Sequence, residues 1–103
     1  MAPTRTNTRP PISRRVQARI DYLRLPFTAR YVPGDESCDS EVAVYREDGR
    51  HVAGLQLSRL SGFTVNEYTY DETGELDGSI YWGSGSRPDR MIDVLVEKLK
   101  NMR

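Results

Sequence analysis

Between residues 27 and 70, apolar and polar side chains alternate in short runs, and turn-forming residues cut each run off. Phe27–Val32 stops at Pro33-Gly34, Glu41–Arg46 at Glu47-Asp48-Gly49, and His51–Leu60 at Ser61-Gly62, before a last run Phe63–Tyr70. A period of two with turns this close together dictates antiparallel strands joined by hairpins. Gly49 supplies the positive φ that a tight hairpin needs, and Gly54 is the expected site of a bulge in the third run. Segments of helical period flank these strands. Ile12, Val16, Ile20 and Leu23 recur at helix spacing after Ser13, the expected cap, and Pro26 ends the segment. Ile92, Leu95, Val96 and Leu99 form a second stripe, with Pro88 and Asp89 at its start and Lys98, Lys100 and Arg103 at its end, matching the helix dipole. The pattern predicts an α+β domain, a meander sheet of three to four antiparallel strands with helices packed on one face. Residues 71–82 read as either a second hairpin or a short helix capped by Thr73. Gly74 and Gly78 would each cost the helix about 1 kcal/mol. Residues 83–87 read as a loop.

Charge divides the chain differently. Residues 1–30 hold seven arginines against the single acid Asp21, a net of +6, and the rest holds eight bases against fourteen acids, a net of −6. Residues 1–11 are rich in Pro, Thr and Arg and poor in apolar side chains. Residues 1–25 are therefore expected to be a basic N-terminal arm, carrying at most a short helix, and residues 26–103 the folded domain. An acidic domain favours encounter with a basic surface, and an arginine arm favours phosphates. On the arm, Arg14, Arg15 and Arg19 are the candidate contacts.

No run approaches the roughly 18 apolar residues of a membrane span, and the N-terminus lacks the apolar stretch of a secretory signal. Cys38 is the only cysteine, so no internal disulfide forms, and a cytoplasmic setting is expected. One histidine and one cysteine do not make a zinc site, and the acids at 67–77 lack the periodicity of a calcium loop. Glycine patterns for phosphate or dinucleotide binding are missing. Cys38 and His51 read better as a loop and a strand residue than as a nucleophile–base pair. The expectation is a protein without catalysis, cofactor, metal or small-molecule substrate. Its tyrosines instead suit a contact surface, with large rigid area and a polar tip. Tyr31, Tyr45, Tyr68 and Tyr70 fall on strands. Aromatics on a sheet face also stack nucleobases, a use that the acidic composition disfavours.

The order of short motifs from Phe27 onward resembles the small phage type I-F anti-CRISPR proteins that coat the Cas backbone of the Csy surveillance complex. The pieces are FTARY at 27–31, AVY at 43–45, Gly49, Gly62 through Val65, YDET at 70–73, EL at 75–76, IYWG at 80–83, Ser84-Gly85, Arg90 and Ile92-Asp93. The resemblance implies an antiparallel sheet with two helices on one face, one of them at 73–81. It implies binding to the backbone subunits of a type I CRISPR RNA-guided complex and obstruction of target DNA, which such complexes capture by base pairing in a basic channel. It also implies that Tyr31 and Tyr45 stand together on the exposed sheet face. The family's third contact is an acid, where strict counting here reaches Leu57, with Gln56 and Ser58 beside it. If no bulge intervenes, Leu57 shares the face of Tyr45; a bulge at Gly54 turns it into the core. The arm has no family counterpart; contact with RNA and a plain solvated tail are the two readings of it.

Two other readings are open. Arg15-Val-Gln-Ala-Arg19 is similar to the arginine motif of PilZ domains, which bind cyclic di-GMP, although Ser58–Gly62 does not complete that motif. A small nucleic-acid-binding phage protein, using the arm for phosphates, is the third.

Overall fold

The computed structural model describes residues 11–58 and 62–102; residues 1–10 of the expected arm, and Ser61 of the third turn, lie outside them. Helix α1 (Ile12–Tyr22) is followed by strands β1 (Phe27–Val32), β2 (Ser40–Arg46), β3 (His51–Ser58), β4 (Gly62–Tyr70) and β5 (Leu76–Gly85), and by helix α2 (Pro88–Met102). The strands form one antiparallel sheet in the order β1-β2-β3-β4-β5. The meander and the α+β class are as the sequence predicts, but the sheet has five strands, not three to four.

The fifth strand comes from residues 71–82, which form a hairpin and not the helix implied at 73–81. Asp71 makes the turn. Its Oδ1 accepts hydrogen bonds from the backbone N–H groups of Thr73 and Glu75 and from the Thr73 hydroxyl, at 2.7–2.9 Å. Gly74 follows at φ +88°, a left-handed conformation that ends any nascent helical turn. Strand pairing then runs to Gly85, through residues expected to be loop.

Both helices cover the same side. α1 lies against β1, and α2 lies across β3, β4 and β5. Val16 and Ile20 of α1, Val42 and Val44 of β2, Leu55 of β3, Val65 of β4, and Leu95 and Leu99 of α2 are fully buried together. The second apolar stripe is as expected, with Met91 added. α1 starts at Ile12 with Pro11, not Ser13, in the cap position. It ends in a Schellman motif, in which Leu25 N–H bonds Ile20 C=O and Arg24 N–H bonds Asp21 C=O, both at 3.0 Å. Arg24 takes the left-handed position, φ 56°, that usually falls to glycine.

Residues 12–25 are therefore part of the domain and not of an arm, because Val16, Ile20 and Leu25 sit in its core. If so, Ile20→Ala should lower unfolding free energy by about 2–5 kcal/mol, the cost of a core cavity. A urea titration checks this; a separable arm predicts no change.

Candidate binding face

Paired residues in neighbouring strands point to the same side of a sheet, so the register assigns every strand residue to a face. One row runs Arg30–Ala43–Gly54–Asn66–Tyr81 across all five strands, and another runs Val32–Glu41–Gln56–Thr64–Ser84. Thr28, Tyr45 and His51 form a third row on that side. These rows face away from the helices. The helix side carries Tyr31–Val42–Leu55–Val65–Gly83.

Tyr31 and Tyr45 thus stand on opposite faces, contrary to the arrangement implied by the resemblance. They are fourteen positions apart in sequence, but Tyr31 pairs with buried Val42 while Tyr45 pairs with Thr28. The bulge in β3 falls at Val52, not Gly54, since Val44 pairs with Ala53 and Tyr45 with His51. Leu57 consequently joins the helix side, opposite Ser40 and Phe63, and packs against the core. Gln56 stays on the open face, where its Oε1 lies 3.4 Å from Asn66 Nδ2. Tyr31 and Leu57 instead share an open cleft of about 1140 Å³ at the β1–β2 loop, lined also by Cys38, Asp35, Glu36 and Asp39. Asp35 bonds the backbone N–H groups of Ser37 and Cys38, which hold its carboxyl below the usual range. The same cause, led by the Thr73 hydroxyl, depresses Asp71.

A cluster that the sequence does not announce occupies the centre of the open face. Tyr68 Oη donates to Glu41 Oε2 at 2.6 Å. Only 14% of the Glu41 side chain is exposed. Its carboxylate lies over Gly54, where any Cβ would overlap it outright. His51 is wedged between two tyrosines, its ring centroid 5.1 Å from Tyr45 and 4.3 Å from Tyr68. Its buried Nε2 lies 3.5 Å from Glu41 Oε2, too far for a good hydrogen bond, and is otherwise unpaired. Tyr70 Oη caps the group by donating to the His51 carbonyl. Guanidinium groups flank it, Arg30 at 5.4 Å from the Tyr45 ring centroid and Arg50 at 4.5 Å from that of Tyr70. The tyrosines are legible in sequence; Glu41 is not, and its one trace is a glycine in the strand beside it.

Arg15 and Arg19 are not on this face. Arg15 pairs with Asp89, and Arg19 Nη1 reaches Asp93 Oδ1 at 2.6 Å. The spacing of four on each helix makes two rungs between α1 and α2, which run in the same direction. Arg14 is exposed on α1. Cys38 lies in the β1–β2 loop, at the far end of β2 from His51, so the two form no catalytic pair. Among the described residues, no group of three potential ligands could hold a metal ion, and no helix is long and apolar enough to cross a membrane. Comparison with known proteins finds no matching family model, no matching curated protein and no matching solved structure.

Burial, and then the bond to Glu41, push the Tyr68 phenol well above its ordinary value of 10.0. The folded state holds that proton more tightly than the unfolded state. This contribution is complete below about pH 10 and is lost as pH rises toward the folded value. Wild-type stability should therefore fall above about pH 10 more steeply than that of Tyr68→Phe, as alkaline urea titrations would show. Gly54→Ala should displace Glu41 and cost roughly 1–3 kcal/mol at neutral pH through the lost buried hydrogen bond. Retention of wild-type stability would refute the packing of Glu41 over Gly54.

Proposed function

We propose that this chain is a non-catalytic binding protein that engages its partner with the uncovered face of its sheet. The partner we infer is the backbone subunit of a type I CRISPR RNA-guided complex, whose target DNA binding the chain blocks. The observation that carries the reading is the Tyr45–His51–Tyr68 platform, held from beneath by Glu41 on a face that neither of the described helices covers. Aromatic side chains fixed before binding lose little conformational freedom on contact, which is how a small surface reaches useful affinity. The motif order from Phe27 onward supports the choice of partner, as does an antiparallel meander sheet with one face turned away from the helices. Acids in the β1–β2 loop and the β4–β5 turn border the sheet and suit the Lys- and Arg-rich channel of such a complex.

The cyclic di-GMP reading loses its main support, because the arginines of its motif are engaged with Asp89 and Asp93 on α2. The separation of Tyr31 from Tyr45 sharpens the test. Purified type I complexes should co-purify with tagged protein and lose target DNA binding in a gel shift. Tyr45→Ala should weaken that capture by about 2 kcal/mol or more, while Tyr31→Ala leaves it unchanged. Equal loss from both variants would relocate the contact, and capture by no subtype would overturn the partner.

A further inference from the structure

We infer that the outer edge of β5 pairs with β5 of a second copy of this chain, joining the two sheets into one. This interface is separate from the contact proposed for the open face and does not depend on it. The two edges of the sheet differ in how they are covered. At β1, Gln17 of α1 takes up the outward backbone groups. Its Oε1 accepts from the Ala29 N–H at 2.7 Å, and its Nε2 lies 3.4 Å from the Phe27 carbonyl. Arg30 within that strand and Pro33 just after it also oppose pairing. At β5, the last strand in the order, no helix or side chain among the described residues bonds the outward backbone. Its sequence, LDGSIYWGSG, holds no Lys, Arg or Pro. Leu76, Ile80 and Tyr81 are 60%, 47% and 62% exposed. An unguarded antiparallel edge with exposed apolar side chains is a template for another strand.

Size and charge along the edge favour a second copy as that strand. Irregularities at Asp77 and Trp82 bound the regular part of β5 at residues 78–81. Two antiparallel copies related by a two-fold axis keep matching faces together only if the axis passes through a residue. Placed at Ile80, the axis sets Ile80 against itself on the helix side, next to its β4 partner Glu67. Tyr81 then lies opposite Ser79 of the other copy on the open face, and Trp82 opposite Gly78, so each ring meets a small residue. Asp77, the one charge in the strand, comes opposite Gly83, about 20 Å along the strands from its own copy. That separation exceeds the Debye length of about 8 Å, so their repulsion is screened. A formal net charge of zero adds no long-range repulsion between copies. An edge contact this short buries less than the roughly 1,200 Å² of standard interfaces, so the dimer is weak and depends on concentration.

The test is sedimentation equilibrium of full-length protein from about 1 µM to about 1 mM, the range of weak complexes. The apparent mass should rise from that of one chain toward that of two. Ile80→Lys should raise the dissociation constant at least about tenfold. Val32→Lys, at an exposed position on the β1 edge, should leave it unchanged. Cysteines in a Cys38→Ser background fix the register. Ile80→Cys should cross-link the dimer on oxidation, because directly opposed residues lie about 4.5–5.5 Å apart, within disulfide reach. Ser79→Cys, about 8 Å from its own copy, should not. The inference is overturned by a single-chain mass throughout, by a dimer that Ile80→Lys leaves intact, or by cross-linking at Ser79→Cys in preference to Ile80→Cys. Tyr45→Ala should leave the dimer in place. Dimerisation without capture of a CRISPR complex would refute only the proposed partner, and capture by a chain that stays monomeric would refute only this inference.

Discussion

One extra residue in β3, Val52, determines what the open face contains. In an uninterrupted strand, Tyr45 would pair with Val52, and His51 would turn toward the helices, where a buried imidazole needs partners that the apolar core does not supply. The bulge buries Val52 and Ala53 in succession, with 3% and 0% exposure, and delivers His51 to the tyrosines. The same shift settles the parity of Leu55 and Leu57, which belong to the core side because the count changes before them. Core packing and surface chemistry are thus tied through one backbone irregularity, and substitutions near Val52 act on both.

Glu41 shows why a rigid polar face is compatible with a small core. A carboxylate with so little exposure loses much of its hydration, and one phenol does not replace it all. The arrangement persists because Gly54 leaves room for the side chain to lie flat, because Tyr68 bonds the Glu41 carboxylate, and because Tyr70 bonds the His51 carbonyl. The cluster stabilises an orientation more than it stabilises the fold, whose free energy rests on the side chains between the sheet and helices. Binding and stability are therefore drawn from opposite faces of one sheet.

Much of this was legible in the sequence, and the failures have physical causes. Period-two runs ended by Pro33-Gly34 and Glu47-Asp48-Gly49 located β1, β2 and β3, since hairpin turns admit few residue types. The α2 stripe was plain because nothing competed with its helical period. The sequence leaves β5 open between a hairpin and a helix because LDGSIYWGSG carries two irregularities against β4, and alternation fails when the strand itself skips a residue. The bulge was expected at the glycine, yet Gly54 serves side-chain clearance and pairs in regular register with Ala43 and Asn66. Glu41 was invisible because its role depends on residues from two other strands, and no spacing along the chain encodes that meeting.

The contrast between a basic beginning and an acidic remainder is real along the chain and is partly offset in space among the described residues. Arg15 and Arg19 are matched by acids of α2, more than seventy positions later, and α1 is packed down as core. Arg30, counted with the arm by its position, lies on the open face beside Tyr45. Asp35 and Asp71, counted with the acidic body, are turn-makers whose carboxylates are committed to backbone N–H groups. Net charge per segment therefore describes encounter at a distance, whereas the contact surface is decided by which few charges remain beside the rings. On that measure the face left open by the helices is aromatic, with Arg30 and Arg50 beside its rings and acids of the flanking turns at its border, within a molecule whose formal net charge is zero.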